Sequence, residues 1–221
     1  VESYARKGIY MTCLGFGTGN LNDDMMEKVS NAGNGTYHYI DCENELMKVF
    51  VHERSQFVSV ANDAKCQVTF DPKFVSQYRL IGYENRVMSN EDFEDDQKDA
   101  GEIGAGQTIT ALYEIVPTPD MWNKNGANEP IVTFDCRYKK SLTDNSIPLQ
   151  TKVARSSIWE NPSSELSFAA GVAAYGMILR NSPYKGEATI SMAKELAGQG
   201  LGFDSYGYRA ELLKLMDKAK E

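Results

Sequence analysis

Gly15, Gly17 and Gly19 punctuate a turn after the apolar run Ile9 to Leu14, and Asp41 closes the next such run, which starts at Tyr37. Glycines so placed let a backbone approach a pyrophosphate, and the acid would take a ribose hydroxyl. Three features weigh against that chemistry. The spacing is Gly-x-Gly-x-Gly rather than Gly-x-Gly-x-x-Gly, Asp23 and Asp24 put negative charge where phosphates would sit, and no third strand follows to complete the unit. The Gly15–Gly19 turn is therefore read as structural, with a nucleotide-binding protein or enzyme as the alternative. Gly104-Ala105-Gly106-Gln107-Thr108 lacks the Gly-Lys-Ser/Thr ending of a phosphate loop and reads as a turn into a strand starting near Thr108.

Residues 89–102 carry Glu91, Asp92, Glu94, Asp95, Asp96, Asp99 and Glu102 against Lys98. Such oxygen density suits a hard cation such as calcium. Neither Asp92 nor Asp95 opens the alternating pattern with a sixth-position glycine that an EF-hand loop needs, so a solvated acidic loop is expected. His38 falls in a strand and His52 on a helix surface, and no Gly-x-Ser-x-Gly or His-Glu-x-x-His occurs. Cys13, Cys42, Cys66 and Cys136 are scattered without a Cys-x-x-Cys pair and read as buried free thiols acting as small hydrophobes. No catalytic, cofactor-binding or metal-ligating residue is assigned, and the chain is not expected to be an enzyme.

These residues need elements to hold them. Ile9–Leu14, the glycine turn, a helix N-capped by Asn22 and stopped by Gly33, and Tyr37–Asp41 read as strand, helix, strand. Leu21 and Met26 are spaced as a hydrophobic staple at its start. Leu46, Val49, Phe50, Phe57 and Val58 recur at helical spacing, so a long amphipathic helix is expected from about Glu43. From about Asp63 the period changes: Cys66–Phe70, Tyr78–Tyr83, Ile109–Ile115 and Ile131–Cys136 alternate, with Asp71-Pro72 and Asn125-Gly126 as turn signals. The third region is helical, with Ser163 or Ser164 capping Leu166–Leu179, then helices at Ala188–Ala197 and Arg209–Lys220.

Composition bounds the function classes. Apolar residues make up 42% and charged residues 24% of the 221, as in ordinary globular chains. A net charge of −8 disfavours nucleic acid and anionic membrane surfaces as partners. The uncharged run Leu166–Leu179 is too short to span a bilayer core of about 30 Å. The chain opens on Val1 with no signal peptide and reads as an excerpt or a processed product.

Leu14-Gly15-Phe16-Gly17-Thr18-Gly19-Asn20-Leu21-Asn22-Asp23 and Gly33-Asn34-Gly35-Thr36-Tyr37-His38-Tyr39-Ile40-Asp41 resemble the closing strands of a bacterial von Willebrand factor type A domain. Tyr78–Arg86 and Asp99–Gly106 resemble the C-terminal domain of unknown function that follows it in a family of bacterial envelope proteins. The resemblance covers most of the chain to Pro117 and, more loosely, the rest. It implies a full-length protein that binds Mg2+ at a metal-ion-dependent adhesion site and meets a protein partner there. That site uses an Asp-x-Ser-x-Ser turn, which this chain lacks: Asp144-Asn145-Ser146 runs into Ile147-Pro148. No metal ligand is carried over to any residue here, and the site is expected upstream.

The expected fold is α+β: a partial α/β (Rossmann-like) lobe over 1–62, an antiparallel β-sandwich over 63–157 and a helical segment over 158–221. The expected role is a non-enzymatic protein-interaction or scaffold region of a cell-envelope protein, periplasmic or an outer-surface lipoprotein by resemblance. The protein partner is not identified by the sequence. An unpaired strand at Ile9–Leu14 implies a homodimer through the truncated lobe, or an edge folded under the chain's own segments.

Overall fold

The computed structural model describes every residue except Thr18, Asn20, Glu84, Asn85, Asp99, residues 124–126, Phe203 and residues 220–221. The expected Asn125-Gly126 turn, part of the glycine turn, Asp99 of the acidic run and the end of the last helix therefore lie outside the described residues. The architecture is α+β, with one parallel strand pair and antiparallel sheets elsewhere.

A short helix, α1 (Glu2–Ala5), precedes β1 (Cys13–Phe16), α2 (Asp23–Ala32) and β2 (Tyr37–Ile40). The side chain of Asn22 accepts the Met25 N–H at 3.0 Å, satisfying a donor that the first helical turn leaves free. Gly33 ends the helix, its N–H donating to the Val29 and Ser30 carbonyls. β1 and β2 run parallel, Cys13 opposite Tyr37 through Phe16 opposite Ile40. The strand expected over Ile9–Leu14 is thus shifted: pairing begins only where β2 offers a partner, and the Met11 N–H goes instead to the Gly33 carbonyl at 3.0 Å.

The long helix expected from Glu43 is broken. α3 (Glu43–Met47) passes into a π-turn over Lys48–His52, closed by the Glu53 N–H on the Lys48 carbonyl, and then a 3-10 turn over Arg54–Phe57. The cause is local, since Val49-Phe50-Val51 sets two β-branched residues and an aromatic in one turn. Of the expected apolar face, Val49 is buried while Phe50 and Val58 are exposed.

β3 (Ser59–Phe70), β4 (Val75–Ile81), α4 (Asn90–Glu94), β5 (Gly101–Gly104), β6 (Leu112–Pro117), β7 (Pro130–Lys139) and β8 (Ile147–Ala154) follow, then α5 (Ser164–Leu179), α6 (Ile190–Gly198) and α7 (Tyr208–Met216). The Ile109–Ile115 strand is displaced to Leu112–Pro117, and β5 and β8 are strands that the alternation did not reveal. β3 begins at Ser59, so it straddles residue 62.

Contacts group the chain into two units. The first comprises Val1–Asp71, Val87–Thr110 and Pro130–Val153; the second comprises Pro72–Arg86, Ala111–Glu129 and Ala154–Glu221. In the first, the sheet order is β5-β3-β7-β8, with Cys13, Ile40, Val49, Ala61, Phe93 and Ile131 buried. β3 bulges between Asn62 and Lys65, where Asp63 takes a left-handed φ of 51°.

In the second unit, β4 pairs antiparallel with β6, and Gly82 and Tyr83, both at positive φ, end β4. The Ser163 hydroxyl caps α5 through the Leu166 N–H at 3.2 Å. α5 packs on α6 so closely that a Cβ on Gly171 would sit 2.6 Å from the Ala193 carbonyl oxygen and 2.6 Å from the Ala197 nitrogen. Ile190, Ala197 and Met216 form the centre, with Phe168, Tyr175, Ile178 and Leu212 around it. No described helix is long and apolar enough to cross a membrane.

The cysteines depart from expectation. Cys13 is buried, but Cys42 and Cys66 are exposed and Cys136 is half-buried. Cys42 stands just ahead of α3 in extended backbone. Cys66 and Cys136 face each other across the β3–β7 ladder.

Candidate functional site

Several of the candidate residues make local structural contacts. Gly17 takes a left-handed φ of 79°, and its carbonyl accepts the Tyr39 hydroxyl at 3.0 Å. At the start of α2, the Tyr37 hydroxyl donates to Asp23, and that bond raises the Tyr37 phenol to about 12. The positive end of the helix is thereby met by the chain's own carboxylates, Asp23 and Asp24, in the first turn. Asp41 follows β2 and is exposed.

Gly104 closes β5 rather than opening a strand at Thr108. A Cβ there would lie 2.0 Å from the Gln56 carbonyl oxygen, and Gly106 takes a φ of 78°. Close backbone crossing and a left-handed turn account for both glycines.

His38 sits half-buried in β2, its Nε2 3.1 Å from Thr36 Oγ1 and its ring edge-on to Phe57. Burial pushes its imidazole below the ordinary value, against the pull of the Glu53 and Glu45 carboxylates. His52 is exposed in the π-turn.

The acidic run is where charge is organised. Ser89 caps α4 by accepting the Asp92 N–H at 3.2 Å, and Phe93 is buried beneath it. Three basic side chains from the β3–β7 ladder reach up to this segment. Lys65, 4% exposed, donates to the main-chain carbonyls of Asp92 and Asp95. Lys139 donates to Asp63 Oδ2 at 2.6 Å and to the Asp96 carbonyl at 2.9 Å. Arg137 donates to the Glu94 carbonyl at 3.1 Å and to Asp96 Oδ1 at 3.0 Å, and pairs with the Glu94 carboxylate.

Asp63 Oδ1 accepts the Ala100 N–H at 3.1 Å, and the Ser146 hydroxyl donates to Asp96 Oδ1 at 2.6 Å. Ser146, of the failed Asp-Asn-Ser motif, thus anchors Asp96. That hydroxyl, with the Arg137 and Lys139 charges, holds the Asp96 carboxyl below the usual carboxylate range.

The run is accordingly more than solvated acid: its backbone carbonyls are drawn onto ammonium and guanidinium groups. Among the described residues, no three His, Cys, Asp or Glu side chains converge as a metal site. Sequence reading missed Lys65, Arg137 and Lys139. The available signal was their alternate spacing on strands adjoining an acid-rich segment. Lys65 stands opposite Arg137 in register, and Lys139 is two residues on, so all three share one face.

The first unit also holds a cleft of about 550 Å³ whose lining includes Arg6, Lys7, Tyr10, Asn62, Lys140 and Thr143. Asn62 is its hub: Oδ1 accepts from Tyr10 Oη at 2.5 Å and Ser59 Oγ at 2.9 Å, and Nδ2 donates to the Lys140 carbonyl. Its lining sets cations beside hydroxyl groups.

A family profile described as "Uncharacterized protein YfbK, C-terminal" matches residues 55–221. The chain belongs to this family. The chain is also 35% identical over 241 residues to "Uncharacterized protein YfbK" of Escherichia coli (strain K12), a match covering 99% of this chain and 41% of that protein. The chain therefore spans less than half the length of that YfbK relative. No solved structure matches. The matched region contains β3–β8, α4–α7 and the whole Lys65–Arg137–Lys139 cluster.

Proposed function

We propose that this chain is a non-enzymatic interaction region of a von Willebrand factor A-type cell-envelope protein, its adhesion site lying in sequence outside the chain. The observation that carries the reading is the β1–α2–β2 unit. Parallel strands are ordinarily sandwiched between helices within wider sheets, yet among the described residues these two form a two-stranded sheet, with Ile9 59% and Phe16 63% exposed and Met47, Phe50 and Val51 also exposed. Such a lobe suits neighbours supplied by a longer protein, and the YfbK relative is longer than this chain.

On this reading residues 1–62 are the closing part of a Rossmann-like lobe, 63–157 a β-sandwich and 158–221 a helical support. The full-length protein would hold Mg2+ through an Asp-x-Ser-x-Ser turn beyond these residues and sit in the envelope, as a periplasmic protein or an outer-surface lipoprotein. Non-enzymatic action is supported by the structural roles of Gly17, His38 and the acidic run.

The test is affinity capture by the full-length protein with Mg2+ or with a chelator. Partner recovery that depends on Mg2+ is expected, and equal recovery refutes a metal-dependent contact. Light scattering of this chain alone should show a dimer formed through the exposed lobe. A melting-temperature rise with any member of a nucleotide panel would instead favour ligand binding at the Gly15–Gly19 turn.

A further inference from the structure

Cys66 and Cys136 stand directly opposite each other on β3 and β7, with their sulfurs 3.8 Å apart and both thiols free. Facing residues of an antiparallel ladder have Cα atoms about 4.5–5.5 Å apart, inside the roughly 4.4–6.8 Å that a disulfide spans. Bond formation therefore asks for side-chain rotation rather than movement of the strands. The sulfurs need only close the gap from contact to a bond of about 2 Å. Cys66 is exposed and Cys136 half-buried, so a small oxidant can reach the pair.

We propose that Cys66 and Cys136 form a reversible redox site, a dithiol that takes a disulfide from a low-molecular-weight or protein disulfide by exchange. With 3.8 Å between the sulfurs either can attack first, and both orders end in the same disulfide; the order with Cys136 first is this. Cys136 loses its proton and attacks one sulfur of R–S–S–R, forming a mixed disulfide and expelling one thiolate. Cys66 then loses its proton and attacks Cys136 Sγ, expelling the second thiolate. The two protons end on the two released R–SH, so the dithiol is oxidised by two electrons and the disulfide reduced by two.

Although Cys66 is exposed as a residue, partial desolvation of its sulfur and the adjacent Cys136 sulfur push its thiol up to about 12. Burial, the largest cause, outlasts the first step, so the Cys66 thiolate stays scarce and the resolving attack is slow. The bond would lock β3 to β7 one residue from the Lys65–Arg137 pair that holds the acidic segment. Cys13, buried in β1, and Cys42, ahead of α3, lie in other elements.

The test equilibrates the full reduced chain with graded ratios of oxidised to reduced glutathione, quenches with N-ethylmaleimide and maps the thiols by mass spectrometry. Alkylatable thiols should fall from four to two, with residues 66 and 136 joined by a bond that dithiothreitol reverses. Cys66→Ser and Cys136→Ser should each retain glutathione on the remaining sulfur. If either variant fails to fold, the wild-type map decides alone. Four alkylatable thiols at every ratio, or a cross-link through Cys13, Cys42 or a second chain, overturns the proposal. Either result leaves the interaction reading above untouched.

Discussion

Asp63 and Lys139 provide the sharpest energetic test, because both are buried, at 9% and 8% exposure, and joined at 2.6 Å. In Asp63→Asn, an amide faces the Lys139 ammonium, while asparagine still tolerates the left-handed backbone at φ 51°. Lys139 keeps the Asp96 carbonyl but loses its counter-charge. An uncompensated buried charge of this kind costs about 3 kcal/mol, which for a chain of this size lowers Tm by about 6–12 °C.

Lys139→Met should cost a similar amount by stranding the Asp63 carboxylate. The double variant should cost at least about 1 kcal/mol less than the two singles added, since both buried charges are gone. Urea unfolding followed by circular dichroism measures all three. Amide exchange adds location: protected amides of β3 and β7 should exchange roughly 10²-fold faster in either single variant, while α5, in the other unit, keeps its rate. Singles within about 0.5 kcal/mol of the parent, or strictly additive effects, would refute an energetically coupled pair.

Gly171→Leu should separate α5 from α6, because even the first side-chain carbon collides with the Ala193 carbonyl. A loss of about 1–3 kcal/mol or more is expected, read as a lower thermal midpoint in α5–α7. Asp96 contributes stability with a definite pH sense. Its folded-state carboxyl lies below the ordinary value, so its contribution is complete above roughly pH 4 and is lost as pH falls through the lowered value. Ser146→Ala removes the largest cause and should move the Asp96 titration upward in carboxylate NMR. Asp23→Asn should return the Tyr37 phenol from about 12 toward roughly 10, by ultraviolet titration.

Local chemistry was readable wherever one residue decides it. Asn22 and Ser163 cap the helices that the sequence assigns to them. The alternating run Cys66–Phe70 pairs with Val132–Cys136 in β3 and β7, and the ladder continues beyond it through the Lys65–Arg137 and Asn62–Lys139 pairs. Elements decided by tertiary pairing were hidden. β5 is four residues with two glycines, and it is a strand because β3 lies beside it. β8 carries Pro148 and a largely exposed face that no buried alternation marks.

The helix at Glu43 followed its apolar spacing for five residues before Val49-Phe50-Val51 loosened the turn. The acidic run was legible as charge but not as architecture. Beside the Glu94 and Asp96 carboxylates, its binding groups are main-chain carbonyls, which every residue carries and no composition reveals.

That last point bears on how this segment tolerates change. Lys65 grips peptide oxygens at positions 92 and 95, and Lys139 grips the one at 96. These grips do not depend on which side chains those positions bear. Exchanging the carboxylates at 92 and 95 would remove the Asp92–Lys98 ion pair at 3.3 Å and the Gln97 N–H bond to Asp95 Oδ1 at 2.9 Å, yet leave the lysine grips on the backbone in place. The electrical character of this face is thus tied to the scaffold through Glu94 and Asp96, while the peptide grips at 92, 95 and 96 are indifferent to it.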